Sequence, residues 1–222
     1  MKRKVSLEEI SDGRLYERND MVKAGCGGCE GCSACCHHMG KSVILDPLDL
    51  HRLSVGLGME AARLLEGPVE LSVTDGMVLP NLKMDGKEEG CRFLSEEGRC
   101  RVHTFRPGLC RLFPLGRYYE GERFWYFLQV HECRKKDRTK IKVSRCLDVP
   151  DVPAYEAYIS RWHGFLLAVQ EILETSEGKE KAKEINVAVL HTFYLTPYEE
   201  DREFYPQFYE RTAQMETWLK AL

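Results

Sequence analysis

From Asp151 onward the apolar positions step by three and four. Tyr155, Ile159, Trp162, Leu166, Val169 and Leu173 line one face of a helix. The same period predicts a helix over 181–194 from Ala182, Ile185, Val189, Leu190 and Phe193, and a third from about 207 through Phe208, Thr212, Met215, Leu219 and Leu222. Upstream the pattern is shorter and mixed. Asp46-Pro47 is a helix start, with Asp as N-cap and Pro in the first turn; Leu50 and Leu53 share a face, and Gly56 and Gly58 are expected to break it. Met59 to Leu65 predicts a second short helix ending at Gly67. Alternation predicts a hairpin of Val69–Val73 with Met77–Leu79 around Thr74-Asp75-Gly76. Another joins Arg117–Tyr119 to Phe124–Leu128 around Glu120-Gly121-Glu122. The stretch CRFLSEEGRCRV reads as a third hairpin, which would bring Cys91 near Cys100, and Pro107 and Pro114 bound a loop carrying Cys110.

Ten cysteines change this picture. The chain has no apolar run approaching the roughly 18–20 residues of a membrane span, and its Met-Lys-Arg-Lys start lacks a signal-peptide core, so a cytoplasmic setting is expected. A disulfide framework belongs to oxidising compartments and small chains. Moreover, Cys26, Cys29, Cys32, Cys35 and Cys36 crowd into GCGGCEGCSACCHH, a concentration of thiolates at one point that suits a metal. Cys26-x2-Cys29-x2-Cys32-x3-Cys36 has the spacing of bacterial ferredoxin-type clusters, although His37 stands where proline is usual. A [4Fe–4S] cluster is favoured, with zinc as the alternative. Gly25, Gly27, Gly28 and Gly31 let the backbone wrap closely around such a centre. In an extended segment Cys35 and Cys36 would point to opposite sides, so only one is expected to face the first site. Cys91, Cys100, Cys110 and Cys133 are candidate ligands from the downstream half, and the role of Cys146 stays open.

At this point the chain resembles a known family. Cys29-x2-Cys32-x2-Cys35-Cys36 is similar to the signature of the YkgJ-type CxxCxxCC cysteine-cluster proteins, described as zinc- or iron-chelating. Cys91, then Cys100-Arg-Val-His-Thr-Phe-Arg106-Pro107-x2-Cys110-Arg111-x-Phe113-Pro114, resembles that family's second half, and Cys133 its last cysteine. The resemblance covers about residues 26–134; Cys26 and Cys146 exceed the common pattern. A flagellin lysine N-methylase carries a similar cysteine pattern, and the cofactor implied there is an iron–sulfur cluster. No glycine fingerprint for S-adenosylmethionine is visible here, so that activity is not carried over.

The expected fold class is therefore α+β: a small metal-stabilised, cysteine-rich domain over 1–150, built of short strands, hairpins and helices, with a helical annex over 151–222 packed on it. His37 and His38 are candidates for tuning the cluster, Arg106 and Arg111 for offsetting thiolate charge or binding an anion. A net charge of -3 excludes a globally basic nucleic-acid coat. The basic run 134–142 reads as a solvated face, so nucleic acid is not the expected partner, and a protein partner is left open. Three functions fit: an iron–sulfur protein of one or two sites for redox or modification chemistry, a zinc-stabilised binding module, or a metal storage or delivery protein. No catalytic residue is readable.

Overall fold

A computed structural model describes residues 6–27, 32–121 and 123–222. The chain enters through a turn of helix, α1 (Leu7–Ile10), and a strand, β1 (Met21–Gly25). Helix α2 (Pro47–Leu57) begins as its sequence dictates. The Asp46 carboxylate accepts the Asp49 N–H at 2.8 Å, and the Asp49 carboxylate accepts the Asp46 N–H at 3.3 Å, a reciprocal box that satisfies two orphan donors. Gly58 ends the helix in the left-handed region. Gly56 does not break it. Gly56 lies inside α2, where a Cβ would sit 2.6 Å from the Phe105 ring, so its role is close packing.

Helix α3 (Ala61–Leu65) leads to the first expected hairpin, β2 (Val69–Thr74) against β3 (Met77–Leu82), antiparallel and in register. A short ladder follows, β4 (Met84–Asp85) with β5 (Gly90–Cys91). The third expected hairpin is only partly formed. Cys91 pairs back to Met84, and the downstream turn is closed by one bridge between Leu94 and Cys100. Cys110 is likewise not in a loop: it lies in a five-residue helix, α4 (Gly108–Leu112). The second expected hairpin is present as β6 (Leu115–Glu120) and β7 (Arg123–Leu128).

Strand β8 (Thr139–Lys142) takes up the end of the basic run and pairs with β1, followed by α5 (Val143–Leu147). Gly25 is required at that pairing, since a Cβ would collide with Thr139 and Ile141. The three expected helices appear as α6 (Val152–Glu174), α8 (Ala182–Leu190) running into a π-turn over His191–Leu195, and α9 (Phe204–Lys220), with one short unexpected helix, α7 (Ser176–Glu180), between the first two. The architecture is α+β, as expected.

One apolar core runs through both halves. In the helical half it is aromatic: Trp162 meets Phe165 at 5.5 Å and Phe193 at 5.1 Å, and Tyr158 meets Phe208 edge-on at 4.6 Å. Its polar tips reach across. The Tyr158 hydroxyl accepts the Leu48 N–H at 3.0 Å, the Tyr194 hydroxyl donates to the Leu45 carbonyl at 3.0 Å, and the Asn186 amide oxygen accepts the Val78 N–H at 2.6 Å. Among the described residues no helix is long and apolar enough to cross a membrane.

Candidate metal centre

The cysteine loop is docked by its histidines. His37 bridges Gly90 in antiparallel fashion, and the His38 N–H donates to the Glu89 carbonyl at 3.0 Å. The His37 ring lies 3.3 Å from the Glu88 carbonyl, and the His38 ring 3.6 Å from the Glu89 carboxylate. This lays the segment after Cys36 against β5, which ends at Cys91. The backbone at 34–36 forms a 3-10 turn rather than an extended run, so the thiols of Cys35 and Cys36 come near enough to act on each other's protonation. The expected division of the two to opposite sides does not hold, because a 3-10 turn lacks the strand's alternation.

Five thiols then line one cleft and sense one another's charge. Cys36 is held protonated by its bond to Cys35, by burial, and by negative charge from Cys35, Cys100 and Cys91. Cys35 moves the other way, down to about 7, because Cys36 donates to its sulfur and Arg106 adds positive charge. Burial raises Cys91, Cys100 and Cys110, and charges on neighbouring cysteines add to the rise. Each element supplies its part. The Leu94–Cys100 bridge folds Cys100 back towards Cys91, and α4 is anchored where the Gly108 N–H donates to Asp49 at 2.6 Å. Arg106 contacts the His103 ring and carbonyl, and its charge favours the thiolates of Cys35 and Cys100.

Cys26 lines the same cleft and also acts on Cys146. It follows β1, while Cys146 lies in α5 directly after β8, and the pairing of those strands brings the two thiols within reach; burial and the Cys26 charge push Cys146 up to about 11. Cys146 was absent from the expected ligands, and its signal was the alternating Thr139–Lys142 strand before it. A cleft of about 1880 Å³ is lined by Cys26, Cys32, Cys35, Cys36, Cys91, Cys100, Cys110 and Cys146. Cys133 is not on its wall, though its neighbour Glu132 is. Cys29 lies outside the described residues. Among those described, no three histidine, cysteine or carboxylate side chains already stand in the arrangement of a metal site. The donors gathered around the cleft are nonetheless soft thiols, the chemistry that suits zinc or iron–sulfur rather than magnesium or calcium.

A family model described as "CxxCxxCC: Putative zinc- or iron-chelating domain" matches residues 28–146, more than half of the chain. No curated protein and no solved structure matches it.

Proposed function

The chain is a member of this CxxCxxCC family, and from that premise we propose that its thiol-lined cleft holds an iron–sulfur centre, [4Fe–4S] as the chained thiols of Cys29, Cys32, Cys35 and Cys36 favour, with residues 1–150 as the metal-binding domain of a cytoplasmic protein and residues 151–222 as a covering annex. The observation that carries the reading is that Cys35 and Cys36 line one cleft with Cys91, Cys100 and Cys110 from three further segments. Those five, with Cys29, Cys32 and Cys133 from the same motifs, are the residues that would hold the centre. A second, smaller site would draw on Cys26 and Cys146. When bound, such a centre supplies one-electron redox or Lewis-acid chemistry.

The chain's own residues prepare for it. Arg106 offsets the charge of thiolates gathered in a partly buried place, where unpaired charge is costly. His37 and His38 hold the loop beside β5 through their backbone contacts to Gly90 and Glu89, while the His38 ring stays exposed. The α6 side chains His163, Leu167, Gln170 and Glu174 wall the cleft from the helical side and limit access of water and oxidant. Protein purified without oxygen and analysed for iron, zinc and acid-labile sulfide tests the proposal. Iron with equimolar sulfide and thiolate-to-iron absorption in the visible is the expected result. Colourless protein with stoichiometric zinc would replace the cluster by a structural zinc site on the same thiols.

A further inference from the structure

The basic residues of this chain are not spread evenly. Residues 134–145 hold seven Lys and Arg against one Asp, while the other 210 residues hold 25 basic and 34 acidic side chains, a net -9. Positive charge set apart in this way on an otherwise acidic molecule favours a partner of opposite sign. The fold gives the segment a defined surface. β8 pairs with β1, Met21 opposite Lys142 and Val22 opposite Ile141, so the ladder has two faces. Thr139 and Ile141, with Ala24, wall the thiol cleft. Lys140 and Lys142 alternate with them and face outward with Met21 and Lys23, all four exposed.

Among the described residues Lys23, Lys140 and Lys142 enter no ion pair, unlike Arg18, Arg92 and Arg161, each of which ends on a carboxylate. Protecting a short edge strand from aggregation needs fewer charges than this. Met21, opposite Lys142 and two residues from Lys23, is 51% exposed, an apolar point among charges as in a protein interface. The outer face carries no aromatic side chain on which a base could stack. β8 is also short, roughly 13 Å, so a long polyanion would run past it onto a molecule whose remaining charge is negative. The strip is joined to the thiols as well. Cys26 follows Gly25, the residue paired with Thr139, and the Cys146 thiol lies 3.9 Å from the Lys142 carbonyl. A body docked on the outer face rests about one layer, on the order of 10 Å, from the cleft.

We propose that the outer face of the β1–β8 ladder docks an acidic protein that carries single electrons, with Lys23, Lys140 and Lys142 receiving its carboxylates. The acidic character of the partner follows from the ladder alone; its electron-carrying role rests on the iron–sulfur reading. In the exchange the reduced carrier loses one electron and is oxidised, the centre in the cleft gains it and is reduced, and no bond forms or breaks. Such encounters are small, transient and steered by charge, which a short lysine strip supplies.

The experiment uses the full chain, purified without oxygen with the metal it carries, and an acidic plant-type [2Fe–2S] ferredoxin as the probe. Calorimetry should show saturable one-to-one binding at low salt, weakened about tenfold or more at about 0.2 M salt. Lys140→Glu with Lys142→Glu should weaken it about tenfold or more. Lys179→Glu with Lys183→Glu makes the same change of net charge on α7 and α8 and should leave binding within about twofold. Circular dichroism confirms that both double variants fold. Absence of saturable ferredoxin binding to the unaltered protein would overturn the proposal. So would equal losses in the two double variants, or tighter binding of a short DNA single strand or of phosphatidylserine vesicles. In an iron-bearing sample the reduced ferredoxin should bleach the visible absorption, about tenfold more slowly when Lys140 and Lys142 are replaced; docking without bleaching would overturn the electron-carrying role. Zinc in the metal analysis would remove that role together with the iron–sulfur reading, whereas failed docking would overturn this proposal alone.

Discussion

Asp49 has two carboxylate oxygens and closes two contacts with them: one accepts the Asp46 N–H, the other the Gly108 N–H. Burial and the charge of Asp46 raise its pKa to about 7, against the pull of Arg111 and the two backbone donors. The folded state therefore holds a proton that the unfolded chain releases near pH 4. A group raised in this way stabilises the fold below its unfolded pKa, and that stability is lost as pH rises through about 7. Urea midpoints at pH 4.5 to 7.5 should thus fall less steeply with rising pH in Asp49→Asn than in the unaltered protein. Thiolate loading of metal responds to pH in the opposite sense, so the difference between the two proteins is the quantity to read; parallel profiles would refute the assignment. At the cysteines, Cys91→Ser should lose the metal of the main centre, and Cys146→Ser should keep it, because Cys146 is coupled to Cys26 rather than to Cys35, Cys36, Cys91, Cys100 and Cys110. Metal-to-protein ratios of the two variants decide this, and equal losses would merge the two groups into one site.

Helix α2 shows how an element can contradict its own composition. Replacing a glycine inside a helix by alanine ordinarily stabilises by about 1 kcal/mol. Gly56→Ala should instead destabilise by about 1–3 kcal/mol, because the new methyl would sit 2.6 Å from Phe105 and the core would have to shift. Denaturant unfolding measures the sign directly, and a stabilised variant would show that Phe105 moves freely. The same helix marks what could be read in advance. Its start was legible because Asp46, Pro47 and Asp49 are a local code; its glycine was misread because Phe105 lies 49 residues away. The hairpins β2–β3 and β6–β7 and the helix α6 were legible for the same local reason, through turn residues and period. The β1–β8 ladder was not, since it joins segments more than a hundred residues apart and one of them is basic. That omission left the proximity of Cys146 to Cys26 unread. Helix α4 was too short for any periodicity to show.

On the scale of the whole molecule the question is how the cysteine half and the helical half depend on each other. Tyr158, Tyr194 and Asn186 close hydrogen bonds to Leu48, Leu45 and Val78, and Arg117 of β6 rests against Tyr155 of α6. The cysteine half would lose these partners if the helices were removed, and the backbone groups they satisfy would be left bare. Since the apolar core is also continuous, the two halves should melt as one unit even though only the first carries metal-binding motifs. Trp162→Ala tests this, as Trp162 is buried among Phe165, Phe193 and Phe208 in the half that carries no cysteine. Its truncation should cost about 3–5 kcal/mol. The loss should appear equally in helical circular dichroism and, in a Trp218→Phe background, in the fluorescence of Trp125, which lies on β7 in the other half. Metal should then leave at a lower denaturant concentration, because whatever opens the core also opens the cleft walled by α6. If the helices melted early while Trp125 and the metal held to their original midpoint, the helical half would be a separate unit resting on the metal domain, and the coupling inferred from the shared core would be wrong.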